Sequence, residues 1–285
     1  MLNQEKLEKR LSGCAPSLAD GVRTYVSEAN FFFEALKNDL ESLPENARVL
    51  EIGSGVGLLS LMLAETGFSV VAIEPQSAGF KEMHEIQGIL MDCWQGTIPE
   101  VEWRFIEFTY SPKDEGYDYA IAINVLEHVP AWEPLIGEVA RALKNEATFR
   151  VVFPNYIWPY EPHFRLPTIW NKKLSGILLA KKIRKSSISS PLDFWQDLSW
   201  LSSRKLMRAS RSLHVELDFT KHSFTQYFYR LSSDKEFIAR MGTESRMQRR
   251  LLIAIGMKLT RLIPARFLPV IDCRISSPAS SAQPN

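Results

Sequence analysis

Residues 47–57 read Ala-Arg-Val-Leu-Glu-Ile-Gly-Ser-Gly-Val-Gly. A short apolar run ends in an acidic residue, alternating glycines follow, and an apolar helical pattern begins at once. The arrangement predicts a buried strand over 47–52, a turn at Gly53, Gly55 and Gly57, and a helix over 56–66 ended by Gly67. Glycine suits such a turn because it has no Cβ and accepts positive φ. A ligand can then come against bare backbone at the edge of a sheet, and in open α/β sheets ligands bind beyond the carboxyl ends of the strands.

Outward from this turn the pattern repeats. Phe68 to Glu74 reads as a second strand, closed by Pro75, and a helix over about 77–91 follows. Trp103 to Phe108 reads as strand three, 111–116 as turn, and Tyr117 to Ile123 as a buried strand four. A helix over 131–143 leads to strand five, Thr148 to Phe153, which stops at Pro154. Strands alternating with helices predict a doubly wound parallel sheet with right-handed crossovers. Upstream, 2–12 reads as a polar, loosely attached helix. Residues 20–42 read as a second helix with Val22, Tyr25, Val26, Ala29, Phe33, Leu36 and Leu40 on one face. Downstream, 154–190 is rich in Pro, aromatic and basic residues and reads as an insertion. Residues 191–211 read as helix, 213–219 as strand six, 233–262 as helix-rich and 270–275 as a last strand.

The glycine spacing narrows the ligand. A dinucleotide site wants G-x-G-x-x-G with an acidic residue about 20 positions on. Here the glycines run G-x-G-x-G, so the third comes one residue early, while the acidic residue, Glu74, is present and can accept hydrogen bonds from ribose hydroxyls. The E-x-G-x-G-x-G run with its ribose acid resembles class I S-adenosylmethionine-dependent methyltransferases. Residues 117–130, Tyr-Asp-Tyr-Ala-Ile-Ala-Ile-Asn-Val-Leu-Glu-His-Val-Pro, resemble the fourth-strand motif of the same superfamily. The likeness spans roughly 45–155, and more weakly 190–275. It implies an α/β, doubly wound, Rossmann-like and mostly parallel seven-stranded sheet. An N-terminal helical lid (1–44) precedes the methyltransferase domain (45–275), which carries the insertion after strand five, and a disordered tail (276–285) follows.

The resemblance carries roles with it. Glu51, Gly53, Ser54, Gly55 and Gly57 would line the methionine end of S-adenosyl-L-methionine. Glu74 would bind the ribose, with Pro75 and Gln76 beside the adenine and Glu107 a further adenine-side candidate. Asn124 and Val125 would close the pocket under the sulfonium, His128 would be a structural or cofactor-side residue, and Tyr25 a lid aromatic. Some small-molecule O-methyltransferases bind a divalent metal at an element like Glu127-His128. A metal needs three or more converging ligands, and none falls at helical spacing nearby, so no metal is expected.

Methyl transfer asks the protein mainly for position and orientation, and a hydroxyl or amine acceptor adds the need for a base. Residues 154–167, Pro-Asn-Tyr-Ile-Trp-Pro-Tyr-Glu-Pro-His-Phe-Arg-Leu-Pro, begin where strand five ends. His163 is the candidate base, with Glu161 to orient it and Tyr156 beside them. The run resembles one found in bacterial methyltransferases of sugar or surface-polysaccharide pathways.

Charge is uneven along the chain. Residues 1–169 carry 13 Lys/Arg and 25 Asp/Glu, whereas residues 170–270 carry 20 Lys/Arg and 7 Asp/Glu. Such asymmetry suggests an anionic partner for the basic part. Segments 171–185 and 246–266 read as basic amphipathic helices suited to an anionic membrane surface. The expected acceptor is a small molecule, a sugar or a lipid-linked glycan. Nucleic acid is disfavoured because Asn124-Val-Leu-Glu replaces the motif used on exocyclic amines and no Pro-Cys pair occurs, and a non-catalytic cofactor-binding homologue is disfavoured by the intact loop. Three scattered cysteines form no disulfide frame, the amino terminus is no signal peptide, and no apolar run spans a bilayer. Together these predict a cytoplasmic enzyme, peripheral at most to the inner face of the membrane.

Overall fold

The computed structural model describes residues 2–75, 80–114, 116–186, 188, 190–242 and 245–277. The first half runs α1 (Gln4–Leu11), α2 (Pro16–Leu40), β1 (Arg48–Ile52), α3 (Leu58–Glu65), β2 (Ser69–Ile73), α4 (Phe80–Asp92), β3 (Val101–Arg104), β4 (Tyr117–Ile123), α5 (Trp132–Ala142) and β5 (Leu143–Pro154). The second half runs β6 (Tyr160–Glu161), β7 (Leu166–Pro167), α6 (Lys172–Arg184), α7 (Pro191–Asp197), α8 (Ser203–Leu213), β8 (Glu216–Phe219), α9 (His222–Ser233), α10 (Lys235–Met241), α11 (Arg246–Leu262) and β9 (Val270–Ser276). Seven strands form one sheet in the order β3-β2-β1-β4-β5-β9-β8. β1, β2 and β3 pair in parallel, whereas β9 pairs antiparallel with both β5 and β8. The insertion after β5 holds the β6-β7 hairpin and α6.

The chain divides into two compact units: residues 1–108, 116–121 and 225–259, and residues 109–115, 122–224 and 260–285. In the first unit the apolar runs of β1 and β2 are buried; α3 packs against β2, and α2 packs against α3. α1 is anchored rather than loose: Leu7 and Leu11 are buried, and Leu2 bridges Trp94. On α2, Phe31, Phe32 and Ala35 are buried and Phe33 only partly so, because α2 also packs against late segments of the chain. Arg230 of α9 ties them together. It bonds Ser27 at 2.7 Å, Glu28 at 3.1 Å and Asp234 at 3.0 Å, and stands 4.3 Å over the rings of Phe31 and Phe237.

In the second unit, Arg150 on β5 meets Asp272 on β9 through two bonds of 3.0 and 2.9 Å, and Asp272 also accepts the Ser223 amide. Both side chains are buried, and the register places them diagonally across the antiparallel pair.

Several sequence boundaries move. β3 ends at Arg104, not Phe108, since Phe105 and Ile106 turn into solvent. The helix expected over 191–211 is two helices, parted by a buried segment at Leu198, Trp200 and Leu201, and Ser202 caps the second. β8 begins at Glu216 because His214, in the left-handed region, first ends α8. Helix α9 occupies a stretch whose polar–aromatic mixture gives no clean period. Of the expected tail, Ser276 belongs to β9, and 278–285 lie outside the described residues.

Candidate active site

The glycine turn is built by its hydrogen bonds. Gly53, Gly55 and Gly57 sit at φ of 72°, 56° and 75°. The amides of Gly53 and Ser54 both donate to the carbonyl of Ile73, at 2.8 and 3.0 Å, and the Gly57 amide donates to Ser54. The Gly55 amide donates to Glu74 Oε2 at 2.7 Å. These donors are satisfied within the protein, unlike those of a phosphate-cradling loop, which point outward at the anion. Gly57 is glycine for packing as well: a Cβ there would stand 2.2 Å from the Trp103 ring. A Cβ on Gly55 would instead lie 3.9 Å from the Tyr25 ring, so α2 brings Tyr25 beside the turn.

Two carboxylates flank the turn. Glu51 is buried on β1 and accepts from the Ser60 hydroxyl. Burial, opposed by that bond and aided by Glu74, raises its pKa to about 8. Burial also raises Glu74, against the pull of the Gly55 amide. The Ser54 hydroxyl is buried and has no hydrogen-bond partner among the described residues. An orphaned hydroxyl, bare glycine backbone and a carboxylate with one oxygen engaged fit a ligand bearing an ammonium group and a ribose diol. Glu51, Ser54 and the glycines would hold the methionine end of S-adenosylmethionine and Glu74 the ribose. Pro75 follows half-buried and Glu107 stands exposed beyond β3, whereas Gln76 lies outside the described residues.

The second unit holds a separate cluster. Glu161 Oε1 lies 2.7 Å from His163 Nδ1 and accepts the Tyr156 hydroxyl at 3.0 Å, while Oε2 accepts the Phe164 amide at 2.7 Å. The three residues singled out after β5 thus meet. Burial holds the Tyr156 phenol well above its usual pKa, with Glu161 and Glu127 adding to the effect, so it acts as a donor that fixes Glu161. Burial works against charge on His163, and the Glu161 hydrogen bond and charge outweigh it, so its pKa lies above the ordinary value.

The sequence reading named Glu127 and His128 but did not bring them to His163. The turn after β4, Leu126–His128, brings His128 to a ring-centroid distance of 4.9 Å from His163, and Phe194 packs on both. Glu127 is fully buried on the same turn, and among the described residues neither carboxylate oxygen accepts a hydrogen bond from another side chain or amide. Burial lifts its pKa to about 7, while burial and then His163 lower that of His128 to about 4. One ligand atom from each of Glu127, His128 and His163 falls within 4.8 Å of the other two. Helical spacing could not reveal this, because the third residue arrives on a loop from the next strand. Asn124, at φ 55°, donates its amide to Val152 and stands exposed at the head of this turn, with Val125 half-buried behind it.

Comparison with known proteins bears on the family of the chain. Residues 25–175, more than half of the chain, match a family described as a methyltransferase domain. The chain is 29% identical over 276 residues to an uncharacterised protein of Mycobacterium tuberculosis, covering 95% of this chain and 92% of that one. It is 28% identical over 115 residues to the ubiquinone biosynthesis O-methyltransferase of Rickettsia conorii, covering 39% of this chain and 35% of the relative. Among solved structures it is similar to phosphoethanolamine N-methyltransferase 2 of Haemonchus contortus in complex with S-adenosyl-L-methionine, with 12% identity and a TM-score of 0.49 over 86% of this chain and 51% of the other. The chain belongs to the methyltransferase-domain family, within the class I S-adenosylmethionine-dependent superfamily.

Proposed function

We propose that the protein transfers a methyl group from S-adenosylmethionine to a hydroxyl oxygen of a small molecule, a sugar or a lipid-linked glycan. The observation that carries the oxygen reading is the Glu161–His163 pair, held at 2.7 Å and backed by Tyr156. The cofactor supplies a methyl group already bonded to a good leaving sulfur. As the O–C bond forms, the C–S pair returns to sulfur and the acceptor oxygen must give up its proton. That demand is met at the cluster around His163, whose ring Glu161 fixes in orientation; acid–base assistance of this kind contributes about 10²–10⁴-fold. The ubiquinone-pathway relative, an O-methyltransferase by description, favours the same atom.

The acceptor is identified by incubating the protein with radiolabelled methyl donor and fractions of small metabolites, glycans and lipids, then locating the label. His163→Ala is expected to lower turnover by about 10²-fold or more while the affinity for S-adenosylhomocysteine, measured by calorimetry, stays unchanged. Full turnover in that variant would remove His163 from the chemistry.

A further inference from the structure

The convergence of Glu127, His128 and His163 asks for a different explanation from the hydrogen bonds around it. With the three ligand atoms within 4.8 Å of one another, one point lies no more than about 2.8 Å from all of them, against metal–ligand bonds of about 2.0–2.2 Å. Side-chain adjustments of under about 1 Å would close that gap.

Three observations set this apart from a chance meeting. Glu127 is fully buried, and among the described residues no other residue donates a hydrogen bond to either of its oxygens. A buried carboxylate left so is costly unless a cation is its partner. Next, Glu161 holds His163 through Nδ1, which leaves Nε2 as the ligating atom. A carboxylate behind a histidine is the arrangement that orients a metal-binding imidazole. Glu161 is itself secured by Tyr156 and Phe164. Last, the cluster is closed at one end and open at the other: the Glu127 side chain has no exposure, while those of His128 and His163 are 32% and 24% exposed. A site with three protein ligands and an open face is the form that metal centres take when they must also hold a substrate or water.

We propose that Glu127, His128 and His163 bind one divalent transition-metal ion, with the remaining coordination positions open to an oxygen of the acceptor. Two imidazoles and one carboxylate suit Zn²⁺, Fe²⁺, Mn²⁺ or Co²⁺ rather than the all-oxygen sites of Mg²⁺ and Ca²⁺. The proposal deepens the reading of this cluster as the acceptor site and rests on it for its role. With an ion in place, His163 is a ligand, and the positive charge of the ion, not the imidazole, draws the hydroxyl proton off to solvent. Glu161 and Tyr156 are then positioning residues.

The test strips the full-length protein with a chelator and titrates it with Co²⁺, following visible absorption, and with Zn²⁺ by calorimetry. Binding of S-adenosylhomocysteine is measured on the same samples. About one ion per chain is expected. Affinity should fall at least about 100-fold in Glu127→Gln and His163→Asn, and about 10- to 100-fold in Glu161→Gln. Should the buried substitutions unfold the protein, His128→Asn, at a partly exposed position, reads the same loss in a folded chain. Uptake of no ion by the stripped wild-type protein, or equal uptake by the variants, overturns the proposal. Methyl transfer that persists in chelator would then assign direct proton removal to His163. Failure of the wild-type protein to bind S-adenosylhomocysteine would instead sink the methyltransferase reading and leave the ion titration standing.

Discussion

At the residue scale, Glu51 shows a buried carboxylate set against stability. Buried beside Ser60 and near Glu74, it holds its proton up to a pH of about 8, whereas in the unfolded chain it releases it near about 4.3. Between those values the folded protein binds a proton that the unfolded chain has lost, so this group lowers stability as pH rises through the window. Glu51→Gln removes the effect. In cofactor-free protein, the thermal midpoint of the variant is expected to climb relative to wild type by several degrees from pH 5 to pH 8, and its affinity for S-adenosylhomocysteine to drop. A midpoint difference that stays flat across that range, measured by scanning fluorimetry, would show that Glu51 is not held protonated. An ammonium brought against Glu51 would supply a counter-charge and pull its proton affinity down.

At the element scale, the antiparallel half of the sheet encloses a buried ion pair, Arg150 with Asp272. Asp272→Ala would take from the buried Arg150 guanidinium the carboxylate that it pairs with. Removing one member of such a pair costs about 3–5 kcal/mol, and replacing both by well-packed apolar residues is often close to neutral. Urea unfolding should therefore place Asp272→Ala well below wild type and the double variant Arg150→Met/Asp272→Leu near it. Equal stability of the single variant and wild type would show that the pair contributes nothing. Neither partner announces itself in the sequence, where an Arg and an Asp inside apolar strands look like surface residues. The glycine turn, by contrast, was legible, because positive φ and close packing leave glycine as the residue for both. Glu161 and His163 were legible as a pair, being two positions apart on a proline-stiffened loop. Their meeting with Glu127 and His128 was not, since no period links a turn after one strand to a loop after the next. Helix α9 escaped for a related reason: its buried Arg230 is held by ions and rings rather than by an apolar stripe.

At the scale of the whole molecule, the acidic early part and the basic later part are matched by exposed apolar side chains on two basic helices. On α11, Met247, Leu251, Ile255, Leu259 and Leu262 are exposed at intervals of three or four residues, among Arg249, Arg250, Lys258 and Arg261 and without an acidic residue. On α6, Leu174, Ile177 and Leu178 are exposed between lysines, while Ser175 and Ile183 face inward and Gly176 approaches Trp195. No helix among the described residues is long and apolar enough to cross a membrane. Such helices suit the plane of an anionic interface. Wild type is expected to co-sediment with vesicles rich in phosphatidylserine, and the double variant Ile255→Asp/Leu259→Asp to lose at least about tenfold in partitioning. Equal sedimentation of both would rule out α11 as the contact. The division into units has a last consequence. The unit that carries the glycine turn also contains residues 225–259, and Arg230 of that late segment lies against Phe31. On a ribosome adding about 5–20 residues per second, β1 and its turn emerge on the order of ten seconds or more before the segment that completes their unit. The nascent chain must pass that interval with part of its apolar surface uncovered, so the unit that carries the glycine turn completes only after residues 225–259 have followed.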